Sequence, residues 1–393
     1  MVKLFGSNLT RRDIDARAGS LWQFAGVRLM TLGDGVERGN RMLEFRTGSG
    51  LRFTVLVDRA MDIGDCDYRG LAIGWHSPAG FRAPGLTDSE AEGGLGWLRG
   101  FSGLLATCGL DHALGPATED AAHYNYPFRN TVIQPLHGRI NSVPARLSGY
   151  GEHWDGDDCL LWCEGIIAQA TVFGENLHLY RRIEAAVGGN SIQISDRVVN
   201  RGFSRTPHML LYHVNVGYPL LDEGARYLAP VKDVLWASHA GDAYTKQGIG
   251  YRTLSGPKSN FTEQVWEHAM AGDAEGRVRV ALLNDRLGLG FEIETRLGEL
   301  PCHLEWQNLR EGMYCLGMEP GTHHAGGKPF ANERSEMIWL EHGDERRYHV
   351  TMTVLDGAAE IRAAAERNQS IQRQPDNDYP PPSGQFPKLA SRG

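Results

Sequence analysis

Apolar and polar residues alternate with a period of two along much of the chain. From Leu51, this alternation places Leu51, Phe53, Val55 and Val57 on one face. Because successive side chains of a β-strand point to opposite faces of the sheet, the pattern predicts strands with one buried face. The same alternation occurs at Ile192 and Ile194, at Leu287, Leu289, Phe291 and Ile293, and at Tyr348, Val350, Met352 and Val354.

Turn-forming residues separate further strand-like segments, which are Cys159–Thr171, Glu175–Ala186 and Val278–Asn284. Gly-Glu-Asn at 174–176 and Gly-Gly-Asn at 188–190 are typical of hairpin turns. The 49 glycines of the chain punctuate the apolar runs in the same way. These signals predict consecutive antiparallel strands joined by short turns.

Helical patterns are few. The alanine-rich segment Ala358–Asn368 predicts one helix, and a second, short one around 93–105 is disfavoured by its glycines. Many strands with few intervening helices exclude a parallel sheet built from β-α-β units. The sequence therefore predicts an all-β fold, a large antiparallel β-sandwich with less than about a fifth of its residues in helices.

The chain is expected to form a single large domain, because no linker-like change of composition divides it. We place this domain at 21–356, after an N-terminal extension at 1–20. Residues 357–393 are predicted to form a short helix and a proline-rich arm. We expect the arm to pack against another part of the protein, and contact with a neighbouring subunit would make it an element of a homo-oligomer.

Composition and charge narrow the function classes. Hydrophobic residues make up 41% and charged residues 22% of the 393 residues, which is typical of a globular protein with a substantial core. The net charge is -8 and the chain has no block of lysine and arginine, which argues against nucleic acid as a partner. The sequence has neither the apolar run of a membrane span nor that of a signal peptide, so we expect a cytoplasmic protein.

The six cysteines do not predict a disulfide framework or a metal site. None of them forms a Cys-x-x-Cys pair, and Cys159 and Cys163 flank an apolar, tryptophan-containing run. Buried free thiols are therefore the preferred interpretation, and no structural zinc is predicted from this spacing.

Three segments combine histidines or acids with turn-forming and aromatic neighbours. In Gln134-Pro-Leu-His-Gly-Arg139, the glycine after His137 lets the backbone approach a ligand closely, although His-Gly pairs in loops are often structural. In the segment from Thr206 to Tyr218, alternation places Leu211, His213 and Asn215 on one strand face, which suits a polar cavity as well as a packed sheet.

The third segment runs from Met313 to His324 and carries Glu319 within an apolar stretch, directly before Pro-Gly. Glutamate is seldom buried unless it is paired or functional. Burial would raise the pKa of this carboxyl group, which suits a general base that works near neutral pH. A structural salt bridge to an arginine explains a buried glutamate equally well.

The ordered trio His137-Gly, Tyr-His213-x-Asn215 and an apolar segment with Glu319-Pro resembles the aldose 1-epimerase (galactose mutarotase) superfamily. The resemblance spans about 22–356. Val57–Gly64, Trp75–Gly80 and Phe101–Leu110 are similar to a poorly characterised branch of that superfamily. Two features depart from the ordinary mutarotase pattern: an early Asn-Arg pair is not recognisable, and valine follows His213 where the family has proline.

The resemblance implies interconversion of the anomers of a free sugar or sugar acid by acid–base ring opening, with no cofactor and no metal. It implies that Glu319 is the base and His213 the acid, facing each other across a gap of roughly 5–8 Å that admits a pyranose ring. His137 would bind the sugar, and Arg59, His208 and Asn215 are weaker candidates for contacts with hydroxyl or carboxylate groups. Trp75 or Trp306 could stack on a sugar face, although a single tryptophan in a strand usually belongs to the core.

Three alternatives stay open at this point. His137, His208, His213 and Glu319 are all metal-ligand types, so a metal-dependent sugar isomerase or lyase fits the same residues. His208 and His213 are five residues apart, however, which places them on opposite faces of one strand. A non-catalytic sugar-binding protein would keep the site but could dispense with Glu319. A glycosidase or polysaccharide lyase is the third alternative, but no second carboxylate is apparent to pair with Glu319.

Overall fold

The all-β prediction is confirmed by the computed structural model, in which 46% of the residues are in strands and 12% in helices. The structure describes residues 1–122, 124, 129–238, 250–373 and 378–389. None of the helices among these residues is both long and apolar enough to cross a membrane.

The strands in the described part of the chain follow one another with few helices between them. They are β1 Val2–Leu4, β2 Ser7–Leu9, β3 Gly26–Thr31, β4 Arg41–Arg46, β5 Leu51–Leu56, β6 Asp62–Tyr68, β7 Leu71–Ala72, β8 Leu105–Leu110, β9 Ala117–Asp120, β10 Thr131–Gln134, β11 Arg146–Asp155, β12 Asp158–Ala170, β13 Asn176–Ala186, β14 Ser191–Asn200, β15 Thr206–Gly217, β16 Arg226–Leu228, β17 Val231–Ala237, β18 Gln264–Met270, β19 Arg277–Asn284, β20 Leu289–Arg296, β21 Cys302–Asn308, β22 Cys315–Gly321, β23 Ile338–Leu340 and β24 Glu345–Asp356.

The α-helices of the described residues are short, apart from the last one. They are α1 Arg11–Asp15, α2 Ala91–Gly94, α3 Gly327–Glu333 and α4 Ala358–Ile371. Single 3₁₀ turns occupy Leu21–Gln23, Gly35–Glu37, Pro84–Leu86, Gly96–Arg99 and Ile140–Ser142. The helix considered around 93–105 is therefore reduced to α2 and one 3₁₀ turn, because Gly93 and Gly94 adopt positive φ angles and break the helix.

The described strands form three large antiparallel sheets and two two-stranded ones, β1-β2 and β9-β10. The largest has eight strands in the order β11-β12-β13-β14-β24-β20-β19-β16. The second has the order β17-β18-β21-β22-β15-β23, with β8 also paired to β15, and the third has the order β3-β4-β5-β6-β7. The hairpins predicted at 174–176 and 188–190 join β12 to β13 and β13 to β14.

The core lies between the two large sheets. Alternate residues of β12–β14, β19, β20 and β24 meet apolar residues of β15, β17, β18 and β22 in one continuous cluster. Strand β15 is buried along its whole length. On one face, Tyr212, Val214 and Val216 join this core, whereas Met209 and Leu211 on the other face belong to a second cluster with Trp75 and Trp97. The second sheet therefore has a core face and a separate, aromatic outer face.

A fully buried ionic network connects the three sheets. The guanidinium group of Arg181 on β13 donates to both carboxylate oxygens of Asp196 at 2.9 and 2.6 Å, and to Asp62 on β6 at 3.1 Å. Tyr212 on β15 donates to Asp196 at 2.7 Å, and the backbone N–H of Thr107 on β8 donates to Asp62 at 3.0 Å. The network thus holds β8 and β15 against the other two sheets.

Both ends of the chain pack onto this framework. Val2, Leu4 and Ile14 are buried in the main core, so the first 20 residues are integrated with the sandwich. The predicted helix at Ala358–Asn368 is present as α4, which continues to Ile371 and packs Ile361 against the outer face of the eight-stranded sheet.

The described part of the C-terminal arm, 378–389, packs against other residues of the same chain. The Ser383 N–H donates to the Val234 carbonyl group at 2.9 Å, and Leu389 is buried. A contact with a neighbouring subunit stays a prediction, and the predicted arm residues at 374–377, which include Pro375, and at 390–393 lie outside the described residues.

We predict that Arg181→Met lowers the free energy of unfolding by about 3–5 kcal/mol, because it leaves Asp196 buried without its cation and Asp62 with only the charge of Arg59. Arg182→Met is the matched control, since the neighbouring Arg182 is partly exposed and its ion pairs contribute about 0–1 kcal/mol. Urea denaturation followed by tryptophan fluorescence measures both. Equal losses in the two variants would contradict the importance of the network.

Candidate functional site

A cavity of about 540 Å³ opens on the outer face of the second sheet. Its walls are largely aromatic and aliphatic, with a few polar groups at the base. Trp75, Trp97, Phe101 and Trp306 contact one another there with ring centroids 4.1–6.3 Å apart. An apolar concave wall with a few convergent polar groups is typical of small-molecule sites.

The polar groups at the base come from adjacent strands. Val214 of β15 pairs with Met318 of β22, so the preceding residue His213 lies beside Glu319 in the same antiparallel register. Leu304 flanks Glu319 on one side and Ala106 flanks His213 on the other. His213 and Glu319 are therefore cross-strand neighbours on one sheet face, in a row whose other members are apolar.

The separation between His213 and Glu319 that was expected from the sequence is wrong. His213 Nε2 and Glu319 Oε1 are 3.1 Å apart, instead of roughly 5–8 Å across a ring-sized gap. The cause is the register: cross-strand neighbours have Cβ atoms only about 4.5–5.5 Å apart, so their side chains lie side by side. Glu319 Oε1 is buried and, despite this short distance, has no hydrogen-bond partner with acceptable geometry.

Asn215 determines which nitrogen of His213 faces Glu319. The Asn215 amide group donates to the carbonyl groups of Gly103 and His213 at 3.1 and 3.0 Å, which turns its Oδ1 toward His213. That oxygen lies 2.6 Å from Nδ1 and accepts its hydrogen. Nδ1 is therefore the protonated nitrogen of the neutral ring, and Nε2 is free to exchange a proton. Asn215, predicted as a substrate-binding residue, thus orients His213.

Burial shifts both groups toward their neutral forms. It lowers the pKa of His213 to about 3, against a smaller opposite effect of the hydrogen bond with Asn215. Burial, helped by the charge of Glu263, raises the pKa of Glu319 well above its ordinary value. Near neutral pH the pair therefore carries no net charge. Besides the Nδ1–H of His213 it holds one transferable proton, which is on Glu319.

His137 reaches the same cavity from the loop after β10. Its φ angle is +58°, an unusual value for a residue with a side chain, and two backbone hydrogen bonds, with Leu114 and Gly109, hold it there. The following Gly138 is required, because a Cβ atom would lie 2.2 Å from the Gly109 carbonyl oxygen. The His137 ring lies 5.4 Å from that of His213, its Nδ1 is unpartnered, and burial keeps its pKa well below the ordinary value.

Gly317 leaves space next to the His213–Glu319 pair. A Cβ atom at this position would lie 2.7 Å from Glu319 Oε1 and 3.1 Å from His213 Cε1. Any side chain here would occupy the volume directly over the two reactive atoms.

Two predicted binding residues lie elsewhere. His208 points to the opposite face of β15, as its spacing from His213 indicates, and its ring nitrogens contact the Leu110 carbonyl group at 2.8 Å and the Tyr348 hydroxyl group at 2.7 Å. Arg59 is buried outside the cavity lining, where it donates to Asn141 at 3.1 Å and its charge favours ionised Asp62. The structure therefore does not bring His208 or Arg59 to the cavity.

Sequence reasoning missed Trp97 and Glu263 as lining residues. Trp97 stacks on Phe101 and lies 4.5 Å from His137, and Glu263 accepts a hydrogen bond from Trp306 Nε1 at 2.8 Å. The only sequence signal for Trp97 is an aromatic residue between glycines at 96 and 100. Trp75 and Trp306, considered as stacking residues, both line the cavity.

The donor atoms do not favour a metal in this cavity. His208 is on the other sheet face, and among the described residues His137, His213 and Glu319 do not bring three ligand atoms within 4.8 Å of one another. All six cysteines are buried free thiols, as expected for Cys159 and Cys163.

Comparison with known proteins identifies a matching family and solved structures with the same fold. The family model described as a domain of unknown function (DUF4432) matches residues 37–354. A Klebsiella pneumoniae crystal structure that carries the provisional name aldose 1-epimerase is 26% identical, covers 88% of this chain and 87% of its own, and has a TM-score of 0.78. A galactose mutarotase-like protein from Clostridium acetobutylicum is 11% identical, covers 85% of this chain and 99% of its own, and has a TM-score of 0.60. The resemblance to the aldose 1-epimerase superfamily is thus confirmed.

A local similarity to L-ectoine synthases from two strains of Aliivibrio fischeri covers 79 residues at 28% identity. This chain spans 62% of the length of those curated relatives, and the segment is 20% of this chain. So short a segment carries no argument about the cavity.

We predict that His213 stays neutral, with its proton on Nδ1, from pH 8 down to pH 5, because burial depresses its pKa to about 3. Nitrogen-15 NMR of histidine-labelled protein measures the tautomer, and a His213→Gln variant assigns the signal. The exposed His76 is the internal control, because its hydrogen bond with Asp65 raises its pKa above the ordinary value and it should become protonated as the pH falls. A His213 signal that titrates together with that of His76 would contradict the buried, oriented site.

Proposed function

The chain belongs to the DUF4432 family, and we propose that it is an aldose 1-epimerase-like isomerase that interconverts the anomers of a free sugar. The observation that carries the proposal is the buried His213–Glu319 pair, oriented by Asn215 at the base of an aromatic cavity. The similarity to the protein provisionally named aldose 1-epimerase supports the same reaction class.

Anomer interconversion requires two proton transfers and no redox chemistry. Glu319, as the carboxylate, takes the proton of the anomeric hydroxyl group while protonated His213 gives its Nε2 proton to the ring oxygen. The bond between the anomeric carbon and the ring oxygen breaks, and a carbonyl group forms at the anomeric carbon. Rotation about the adjacent carbon–carbon bond and reversal of both transfers then close the ring on either face. Each positioned proton transfer contributes about 10²–10⁴-fold to the rate.

The pair holds one proton throughout this cycle. In the free enzyme this proton is on Glu319, because burial favours the neutral form of both groups. It passes to His213 Nε2 before the ring opens, and Glu319 then receives a proton from the anomeric hydroxyl group. Nε2 and Oε1 are 3.1 Å apart, and a rotation of the Glu319 carboxyl group that aligns them lets the proton pass directly. The enzyme therefore needs no net exchange of protons with water, which suits a site so far removed from solvent.

The remaining lining residues support binding of a sugar ring. Tryptophan faces stack on the C–H faces of sugars, and Trp75, Trp97 and Trp306 surround the base of the cavity. His137 lines the cavity, and we assign its unpartnered Nδ1 to a hydroxyl group or the ring oxygen of the sugar. This assignment keeps Glu319 and His213 as catalytic residues and His137 as a binding residue. It makes Asn215 a positioning residue, where the sequence predicted a binding residue.

Charge favours a neutral sugar over a sugar acid. The cavity is lined by the acids Glu263 and Glu319, and its described lining residues include no lysine or arginine. Arg59, the sequence-based candidate for binding a carboxylate, lies outside the lining. A uronate carboxylate in this cavity would be desolvated beside two acids without a cation.

We predict that Glu319→Gln lowers the rate of anomer exchange at least about a hundredfold while sugar binding survives, because the amide keeps the shape but cannot accept the proton. Saturation-transfer NMR on a panel of free aldoses and ketoses measures exchange. Glu263→Gln is the comparison variant: it is the same substitution in the same cavity, and its amide oxygen still accepts from Trp306. It should lower the rate far less, because it removes only a charge that raises the pKa of Glu319. A fully active Glu319→Gln enzyme would contradict the assignment of the base.

We also predict that neutral aldoses exchange faster than the corresponding uronic acids, by at least about tenfold in kcat/KM, because the unpaired uronate carboxylate costs binding energy. Glucose with glucuronate and galactose with galacturonate form matched pairs for the same NMR measurement. Faster exchange of the acids would overturn the preference for neutral sugars. Binding of a sugar without any exchange would favour the non-catalytic sugar-binding alternative.

A further inference from the structure

A second group of buried donor atoms lies behind the cavity wall. Glu267 on β18, Cys302 on β21 and His324 after β22 place one carboxylate oxygen, one thiol and one ring nitrogen within 4.8 Å of one another. Glu267 pairs with Leu304, two residues from Cys302 on the same sheet face, and Gly321 pairs with Cys302. Strand pairing and a three-residue connection thus bring the group together.

Both ring nitrogens of His324 face oxygen acceptors. Nε2 lies 3.0 Å from the Pro387 carbonyl oxygen and Nδ1 contacts Glu267 Oε1, while the Ala325 N–H donates to the other Glu267 oxygen at 2.9 Å. A neutral imidazole carries only one N–H, so one of these two contacts would pair a nitrogen lone pair with an oxygen lone pair. The arrangement therefore requires a proton or a metal ion between Nδ1 and Glu267, and a proton could belong to either group.

The position of Cys302 distinguishes these two cases. Its Sγ lies 3.6 Å from the same nitrogen, Nδ1, that contacts Glu267. One proton bridges only one pair of atoms and leaves the third donor without a role. A tetrahedral zinc ion, with bonds of about 2.3 Å to sulfur and about 2.0–2.1 Å to nitrogen, separates those two ligand atoms by about 3.5 Å. It would separate Nδ1 from Glu267 Oε1 by about 3.3 Å, so entry of the ion requires the Glu267 carboxylate to move away from its present contact with Nδ1.

We propose that Glu267, Cys302 and His324 bind a divalent transition-metal ion of the zinc type. Thiolate, imidazole and carboxylate are all ligands that zinc accepts, and together with the ion they leave the buried group with no net charge. The hydrogen bond from Nε2 to the Pro387 carbonyl group is the outer contact that metal-bound histidines usually make, and it leaves Nδ1 free for the ion.

Such an ion would join the C-terminal arm to the cavity wall. Pro387 belongs to the arm, Phe386 packs on the His324 ring with centroids 5.1 Å apart, and Ala325 lines the cavity. The ion would lie outside the reacting pair and would act by fixing this wall. The proposal does not depend on the reaction catalysed.

The test uses the full chain without an affinity tag, first dialysed against a chelator and then desalted. We expect one equivalent of added Co²⁺ to bind per chain with a thiolate-to-cobalt charge-transfer band, and zinc to displace it. Cys302→Ser should lose the band and bind cobalt at least about tenfold more weakly, because even outer contacts of metal sites are worth 10–100-fold in affinity. Cys66→Ser is the matched control, since Cys66 is also buried on a strand, and it should bind as the wild type does.

Zinc-edge X-ray absorption of the wild type provides a readout that needs no variant, and we expect one sulfur ligand with nitrogen and oxygen ligands. Failure of the wild type to bind stoichiometric cobalt or zinc would overturn the proposal and leave a Glu267–His324 ion pair. A charge-transfer band that persists in Cys302→Ser would also overturn it. If the wild type binds the metal but catalyses no anomer exchange, the proposed function is contradicted and the proposed metal site is not.

Discussion

The buried contact between Arg181, Asp62 and Asp196 is the constraint on which the arrangement of the sheets depends. Two carboxylates and one guanidinium group lie in the dry interior, so each must be paired there. Arg59 lies beside Asp62 and provides the second positive charge. Because the hydrogen bonds of this group fix β8 and β15, the same contact also determines where the outer face of the second sheet lies.

Strand β15 transmits this constraint to the cavity. Tyr212 donates to Asp196 on the core face, and the next side chain, His213, points to the opposite face. A slip of one residue in the register would bury His213 in the core and expose Tyr212 in the cavity. The ionic network thus positions His213 without touching it, and the pairing of β15 with β22 then places Glu319 beside it.

Local patterns were sufficient for the fold class and for part of the site. Alternation with a period of two predicted the strands. Because successive side chains of a strand point to opposite faces, it also placed His213 and Asn215 on one face and His208 on the other. The role of Arg59 and the contribution of Trp97 could not be predicted in this way. The position of Arg59 depends on Asp62 and Asn141, and that of Trp97 depends on its contacts with Phe101 and His137. Contacts between residues distant in sequence leave no periodic signal.

The expected gap between His213 and Glu319 failed for a related reason: residue order does not reveal strand register. Cross-strand neighbours in an apolar row cannot both carry charge at low cost, since each charged form is desolvated. One shared proton removes that cost, and it is also what a reaction with two opposite proton transfers requires. Under the proposed function, the same burial that makes the pair costly to ionise suits it to move a proton from one oxygen of a sugar to another. Gly317 and the aromatic walls preserve this condition, because they leave room for a ring while excluding water.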